Sequence, residues 1–521
     1  MLKRTTIILS ISLLTFTVSG QSIFQKTFGT TAYEEIWGLD KTYDGGFVLG
    51  GYTGFGNAYI IKLTAIGDTS WTRDINVGGM DLIYTIQQTN DSGFIAAGRT
   101  NGFGAGGLDM LLIKLDANGN NQWTKAIGGS ADETVNSIEQ TLDGGFIIAG
   151  NTYSFSSGLN DFYIVKTNSI GNIVWSKSIG GVGNDNAYSI IQNTDSSYIA
   201  VGLTSSVGAG GNDLLATKFD KNGNVTWMKT YGGGGDDRAN SIQQTSDGGF
   251  IISGVTNSFG AGNYDFYLIK TDSSGNPTFQ KTLGGVGNEW SYCVQQTNDL
   301  GYILTGYTTS FGAGSSDYYF IKTNSIGDTT WTKTFGGSMD DYATNVKQTP
   351  DNGYAIVGYG QSFGAGSHDF YFVKTDSNGN GICNQNTTAT IVNSPISTVT
   401  IPTLTISSGG TVNSVIPILN SGTIVNTLCT NVGIEIIDKE NVDINFFPNP
   451  LTDYATLNFE NPENRKYIFN LYNVQGQLVR KIEQVTTETI ILERQNLLNG
   501  LYFFQLITGA GVEMNGKLII E

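Results

Sequence analysis

"SIQQTSDGGFIISG", residues 241–254, decides the fold because it keeps returning. Its Asp-Gly-Gly-Phe centre has counterparts at 44–47, 91–94, 143–146, 195–198, 299–302 and 351–354. The composition of that centre is a turn: a short carboxylate caps backbone N–H groups, a glycine accepts positive φ, and the next aromatic opens an apolar run. Where the run is almost wholly apolar, as in Phe146-Ile147-Ile148-Ala149, it suits a strand covered on both faces.

Working outward, an aromatic residue stands 20 positions before each turn Asp: Phe24, Trp71, Trp123, Trp175, Trp227, Phe279 and Trp331. Successive anchors are 47 residues apart once and then 52 apart five times. Within one unit, 175–226, four strand-like runs are separated by turns rich in Gly, Asn and Asp, and no helical period is sustained. A unit of that size cannot bury its own apolar face and must stack on its neighbours. The expected fold is all-β: a seven-bladed β-propeller of four-stranded repeats of 52 residues, followed by a spacer and a small C-terminal β-sandwich. Position 383, where the next anchor is due, holds Cys383, so the strand around Phe24 is expected to complete the last unit and remove two sheet edges.

The chain has 521 residues with 70 Gly and only 8 Pro, a balance that favours many tight turns, and its 11% aromatic content is too high for a disordered chain. A formal net charge of -17 argues against nucleic acid or an anionic membrane as partner, because no basic stripe is available to displace counterions. Residues 1–20 read as a signal peptide, with Lys3 and Arg4 before an apolar stretch too short to span a bilayer and a small-residue exit at Val18-Ser19-Gly20. No transmembrane segment is expected in the mature chain. The remaining boundaries place the propeller at 21–383, a Thr/Ser-rich spacer or stalk at 384–440 and a terminal domain at 441–521. Of three cysteines, Cys293 replaces a repeated Ser and reads as a small buried thiol, while Cys383 and Cys429 flank the spacer and are placed to form a disulfide.

Three sets of positions could carry chemistry. An acid stands ten residues after each anchor, at Glu34, Asp81, Glu133, Asp185, Asp237, Glu289 and Asp341, and a ring of seven carboxylates could bind a cation such as calcium; capping of turns is the structural alternative. A Lys recurs at 62, 114, 166, 218, 270, 322 and 374, and a second acid at 109, 161, 213, 265, 317 and 369, with Asn57 in its place in the first unit. Asp376-Ser377-Asn378-Gly379-Asn380-Gly381 fits the opening of a calcium loop, but Thr387 stands where the bidentate Glu is required, so a plain turn is the better reading. His368 is the only histidine, which leaves Ser-His-Asp catalysis, Cys-His catalysis and His-rich metal clusters with little support, and it reads as a solvated loop residue. No cofactor is expected. Sevenfold repetition does not suit catalysis, which needs a few unequal groups, so the chain is expected not to be an enzyme.

The repeat "KTFGGSMDDYATNVKQTPDNGYAIVGY", 333–359, resembles that of bacterial seven-bladed β-propeller proteins, which are mostly extracellular. The C-terminal segment resembles the type A C-terminal sorting domain of the type IX secretion system, through Phe447-Pro448-Asn449-Pro450, Leu471-Tyr472 with Gly476 and Val479, Asn499-Gly500-Leu501-Tyr502-Phe503 and the terminal Lys517-Leu518-Ile519-Ile520. That resemblance implies export through the type IX outer-membrane machinery, with release from the cell or attachment at its surface. The functional expectation is a binding or adhesion module for surface polysaccharide, glycans or matrix proteins. A secreted polysaccharide-active enzyme and a passive structural cargo are the alternatives.

Overall fold

The computed structural model describes residues 22–430 and 446–521, apart from 55, 401, 403, 408, 416–417, 421–423, 460, 462–464, 474–477 and 509–510; at 405–407, 412–414, 418–420, 424–430 and 511–515 it describes the backbone alone. The expected signal peptide lies outside these residues. All regular structure among the described residues is β, in two compact units bounded by Gln21–Asn431 and Val432–Glu521.

The first unit is a succession of antiparallel sheets, each built around four strands that are consecutive in sequence except in the last, which takes its fourth from the N-terminal end of the unit. One runs Asp237–Gln244, Phe250–Thr256, Asp265–Thr271 and Pro277–Gly284, so the repeated acid opens the first strand and the aromatic anchor sits in the fourth. Apolar residues from both faces interlock with the neighbouring sheets: Ile199, Val201 and Leu214 of one sheet share a core with Ile242, Phe250 and Ile252 of the next. Another core joins Ile36, Leu39 and Phe47 of the first sheet to Ala355, Val357 and Phe370 of the last, which brings the two ends of the succession together. As the position of Phe24 predicts, the strand Phe24–Gly29 pairs with Asp369–Thr375 in the last sheet, with Phe24 opposite Lys374 and Phe28 opposite Phe370.

The spacer reading of 384–440 needs correction over 384–430; residues 431–440 lie outside the described residues. Short strands at 385–387, 391–393, 398–400, 405–407, 411–415, 418–420 and 424–430 each pair as a fifth, outermost strand, one per sheet, and travel round the sheets in reverse chain order. The last, Ile424–Thr430, lies on the other side of Phe24–Gly29 from Asp369–Thr375. The physical reason is the edge left by each fourth strand: its unpaired N–H and C=O groups are satisfied by an extended Thr/Val/Ile-rich segment that carries them around the rim. Cys383 at the start of this belt is disulfide-bonded, and the backbone of its expected partner Cys429 pairs with Gln25. Cys293 is a free thiol.

Each residue of the recurring phrase has a task. The inner strand of every sheet is also an edge, and side chains of the adjoining sheets cover its N–H groups. Ser241 Oγ accepts from Val294 N at 3.2 Å, Gln243 Oε1 from Gln296 N at 2.5 Å, and the preceding sheet's Thr194 N donates to Gln244 Oε1 at 3.0 Å. Thr245 Oγ1 donates to Asp247 Oδ1 at 2.5 Å, Gly249 N donates to the same oxygen at 3.0 Å, and Gly248 takes φ +80. The residue at that central position has positive φ in all seven copies, including Ser92, Ser196, Leu300 and Asn352. The following Gly is needed for close approach, since a Cβ on Gly249 would fall 2.2 Å from the Thr271 carbonyl and 2.7 Å from Lys270 Nζ.

The repeated Lys is thereby brought onto the turn Asp of its own sheet, at 2.8–3.0 Å in six copies. In the seventh, Ser197 replaces the close-approach Gly, its hydroxyl donates to Asp195, and the Lys218–Asp195 pair opens to 3.6 Å. Asn193, which stands where the other copies have Thr, donates to Ser197 Oγ at 2.8 Å. The double variant Asn193→Thr/Ser197→Gly, which restores the pattern of the other six, is expected to raise stability by about 0.5–1 kcal/mol, read as a higher denaturation midpoint.

The C-terminal unit contains a three-stranded sheet, in which Phe446–Phe447 and Thr489–Glu493 flank Tyr454–Asn458, and a four-stranded sheet in the order Leu478–Val485, Tyr467–Asn473, Gly500–Thr508, Gly511–Ile520. Phe446, Leu457, Phe469, Leu471, Phe504 and Leu518 share its core. Asn470 is buried and its Nδ2 donates to Tyr472 Oη at 3.2 Å.

Candidate functional site

The seven repeated acids are each tied into the loop before their own strand. All are at most 2% exposed, and each opens an inner strand and caps the loop before it: Val77 N donates to Asp81 Oδ2 at 2.7 Å, Gly129 N to Glu133 Oε2 at 2.6 Å, Gly181 N to Asp185 Oδ2 at 2.9 Å, Gly233 N to Asp237 Oδ2 at 2.8 Å, Gly285 N to Glu289 Oε2 at 2.7 Å and Gly337 N to Asp341 Oδ2 at 2.9 Å. Glu34 Oε1 accepts from Thr30 Oγ1 at 2.6 Å.

Six of these acids meet the second repeated acid of the sheet before, forming buried carboxyl pairs between sheets. The pairs straddle a glycine: a Cβ on Gly232 would fall 2.1 Å from Asp213 Oδ1 and 2.7 Å from Asp237 Oδ2, and one on Gly284 would fall 2.0 Å from Asp265 Oδ1 and 2.5 Å from Glu289 Oε2. Burial raises the proton affinity of Asp109, Asp161, Asp213, Asp237 and Asp317, and pushes Asp265, Asp341 and Asp369 up to about 6. The N–H donors that converge on these carboxylates suit an anion or a shared proton and repel a cation. Among the described residues, no group of three or more His, Cys, Asp or Glu is placed to hold a metal. At 376–381 the turn itself occupies the candidate calcium ligand: Asn378 N and Asn380 N donate to Asp376 Oδ1 at 2.8 and 2.7 Å, and Asn380 Nδ2 donates to Oδ2 at 2.8 Å.

The anchors sit on the outer strands, each against a positive-φ glycine of the next sheet. Phe24 lies against Gly67, Trp71 against Gly119, Trp123 against Gly171, Trp175 against Gly223, Trp227 against Gly275, Phe279 against Gly327 and Trp331 against Gly379. Trp175 also meets Tyr198 edge-on at 5.8 Å.

What distinguishes one unit from another lies where the phrase does not repeat. At the positions one and three residues after the acid, where the inner strands begin, stand Glu35 and Trp37, Leu82 and Tyr84, Thr134 and Asn136, Asn186 and Tyr188, Arg238 and Asn240, Trp290 and Tyr292, and Tyr342 and Thr344. Here Trp37 touches Tyr84 of the second sheet at 6.2 Å, Tyr292 of the sixth at 5.7 Å and Tyr359 of the last at 5.7 Å. Tyr307 meets Tyr342 at 4.8 Å and stacks on Trp290 at 6.5 Å with 13° between planes. The result is an aromatic mouth, with rings at these positions on five sheets and only polar or charged residues on the third and fifth. Glu35 accepts hydrogen bonds within it from Tyr33 Oη, Tyr52 Oη and the Trp37 Nε1–H, the last at 2.9 Å. His368, read from sequence as a solvated loop residue, is half-buried here, 4.4 Å edge-on to Tyr33, and burial lowers its proton affinity.

Further along the inner strands lies a cavity of about 370 Å³ to which all seven contribute, among them Asp40, Gln87, Glu139, Gln243, Gln295 and Lys347. Burial pushes Glu139 up to about 7, against the pull of Gln192 N and Lys347.

In the C-terminal unit, Pro448, Asn449 and Pro450 are exposed, and Asn449 fastens the final strand: Ile519 N donates to its Oδ1 at 2.8 Å and its Nδ2 to Lys517 O at 3.4 Å. Tyr502 Oη donates to Leu498 O at 2.8 Å, Gly500 opens its strand at φ +152, Lys517 is exposed, and Gly476 lies outside the described residues. This segment, 445–521, matches the family described as secretion system C-terminal sorting domain. Residues 445–521 are a type IX sorting domain. The chain carrying that sorting domain is secreted or attached to the cell surface and engages the secretion machinery.

No curated protein matches the chain. Among solved structures it is similar to the extracellular domain of a protein described as a hybrid two component system from B. thetaiotaomicron, at 12% identity and a TM-score of 0.42, over 96% of this chain and 58% of that one. The chain therefore spans less than two thirds of that domain's length. It is also similar to the Pan2 WD40 domain of Neurospora crassa, at 9% identity and a TM-score of 0.40, over 66% of this chain and 89% of that one. The endo-1,5-alpha-L-arabinanase of Thermotoga petrophila matches at 9% identity and a TM-score of 0.28, over 67% of this chain and all of that one. Among the described residues, no helix is long and apolar enough to cross a membrane.

Proposed function

We propose that the first unit is a closed seven-bladed β-propeller, that the sorting domain is a β-sandwich, and that the exported propeller is a binding or adhesion module and not an enzyme. Core packing between the first and last sheets and the insertion of Phe24–Gly29 into the last sheet support closure. The observation that carries the binding reading is the unequal mouth: a framework repeated seven times presents aromatic rings on five sheets and only polar or charged groups on the third and fifth. Aromatic faces with polar rims suit sugar rings or protein side chains. Glycans of the surface polysaccharide or matrix proteins are the partners that the location of the chain makes available.

The test is binding of the purified chain to a broad glycan and matrix-protein array, with calcium and with chelator. Saturable, chelator-insensitive binding is the expected result, because the repeated carboxylates are occupied by loop amides. Absence of binding in both conditions would contradict the reading.

A further inference from the structure

We propose that the mouth takes an acidic polysaccharide and that Arg238 binds its anionic group; this rests on the binding-module reading above. Arg238 is the only basic residue at its position in the seven units, and the inner strand Asp237–Gln244 carries it. Its guanidinium carbon lies 4.0 Å from the Trp290 ring centroid and 5.3 Å from that of Tyr188, so it is sandwiched between the fourth and sixth sheets. Among the described residues it forms no ion pair, and its Nε is buried with no hydrogen-bond partner. The Trp290 Nε1–H beside it is likewise buried and unpartnered.

The acids that could neutralise Arg238 are committed elsewhere. Asp236, two residues away, accepts from Asn212 N at 2.9 Å and Asn212 Nδ2 at 2.8 Å on one oxygen and from Tyr264 Oη at 3.5 Å on the other. Glu35 holds its three donors across the mouth. A half-buried guanidinium without a counter-ion loses hydration and gains only aromatic contacts in return. An incoming carboxylate or sulfate restores the balance through the planar fork of donors, which suits such groups bidentately.

The neighbourhood identifies what carries the anion. Trp290, Tyr307 and Tyr342 form an unbroken run of rings beside the guanidinium, with Trp290 and Tyr307 near parallel. Flat aromatic faces accept the C–H faces of a sugar, and the adjacent charge selects a ring bearing a carboxylate or sulfate over a neutral one. Arg99, 5.7 Å from the Tyr84 ring on the second sheet, gives the mouth a second cation and the means to hold a chain at more than one residue.

The experiment measures binding of the full secreted chain to immobilised polygalacturonate, chondroitin sulfate, dextran sulfate, neutral dextran and a panel of matrix proteins, for wild type, Arg238→Ala and Arg238→Lys. Saturable binding to acidic polymers is expected, weakened about tenfold or more in Arg238→Ala and less in Arg238→Lys, which keeps the charge and loses the fork. Uronate binding without sulfate binding, or the reverse, identifies the anionic group. In wild type, affinity must fall as salt rises, a readout independent of any variant. Equal affinity of Arg238→Ala for acidic polymers, or salt-independent binding, overturns the inference. Binding to neutral glycans or matrix proteins alone also overturns it while leaving the binding-module reading in place, and binding to nothing overturns both.

Discussion

Removing residues 22–29 abolishes cooperative folding of the repeat unit. The strand Phe24–Gly29 is buried at every position and lies between Asp369–Thr375 and the terminal belt strand Ile424–Thr430. Its loss exposes two sheet edges together, detaches the end of the belt and empties the Phe24 and Phe28 positions of the core that joins the last sheet to the first. Each phenylalanine alone is worth about 3–5 kcal/mol on truncation, against a total stability of about 5–15 kcal/mol for a typical domain. The truncated chain is expected to aggregate and to show no sharp melting transition, while a synthetic peptide spanning 22–30 is expected to restore part of it. An unchanged melting temperature would contradict the closure of the sheets on one another.

The second large effect is an unusual dependence on pH. Asp265, Asp341 and Asp369, raised by burial to about 6, hold a proton more tightly folded than unfolded, and burial also raises Asp81, Asp109, Asp161, Asp213, Asp237 and Asp317. Their contribution to stability is therefore fully present below the unfolded carboxyl pKa of about 3.9 and is lost as pH rises through about 6. The turn aspartates work in the opposite sense. Asp247, for example, is held down to about 2 by Lys270, Thr245 and Gly249 against the effect of burial, so its contribution is lost only as pH falls below about 4. His368, lowered by burial, also loses stability on acidification, but it is a single group. Melting temperature is accordingly expected to rise by about 5 °C between pH 7.5 and pH 5, then fall below pH 4. The triple variant Asp265→Asn/Asp341→Asn/Asp369→Asn is expected to flatten the rise, which separates these carboxyls from general relief of the net charge of -17. A melting temperature that falls steadily from pH 7.5 to pH 5 would contradict the paired, buried carboxyls.

The scaffold was legible because its constraints repeat. A positive-φ turn, a close-approach glycine, a Lys brought onto an Asp and an aromatic packed against the next sheet's glycine must each recur in every unit, and the phrase at 241–254 contains most of them. The belt was harder to read. Its strands begin at 385, 391, 398, 405, 411, 418 and 424, a step of six or seven residues that matches the passage from sheet to sheet, but three-residue strands carry too little alternation to announce a partner. The mouth escaped because attention to what recurs passes over what differs. Trp37, Arg238, Trp290, Tyr307 and His368 occupy positions that vary between copies; that of Tyr307, for example, holds Tyr52, Arg99, Asn151, Leu203, Val255 and Tyr359. Aligning the seven units and asking which columns are unequal, and on which units they are aromatic, is the signal that would have located them. In a repeated framework the equal columns carry the fold and the unequal ones carry recognition.

Recognition by the unequal mouth is put to the test by comparing wild type with the double variant Trp290→Ala/Tyr307→Ala on the same glycan and matrix-protein array. Both residues are partly exposed and lie outside the cores between sheets, so melting is expected to change little. The double variant is expected to lose the binding while keeping its fold. Retention of full binding by the folded double variant would contradict recognition by the mouth and place it elsewhere on the molecule.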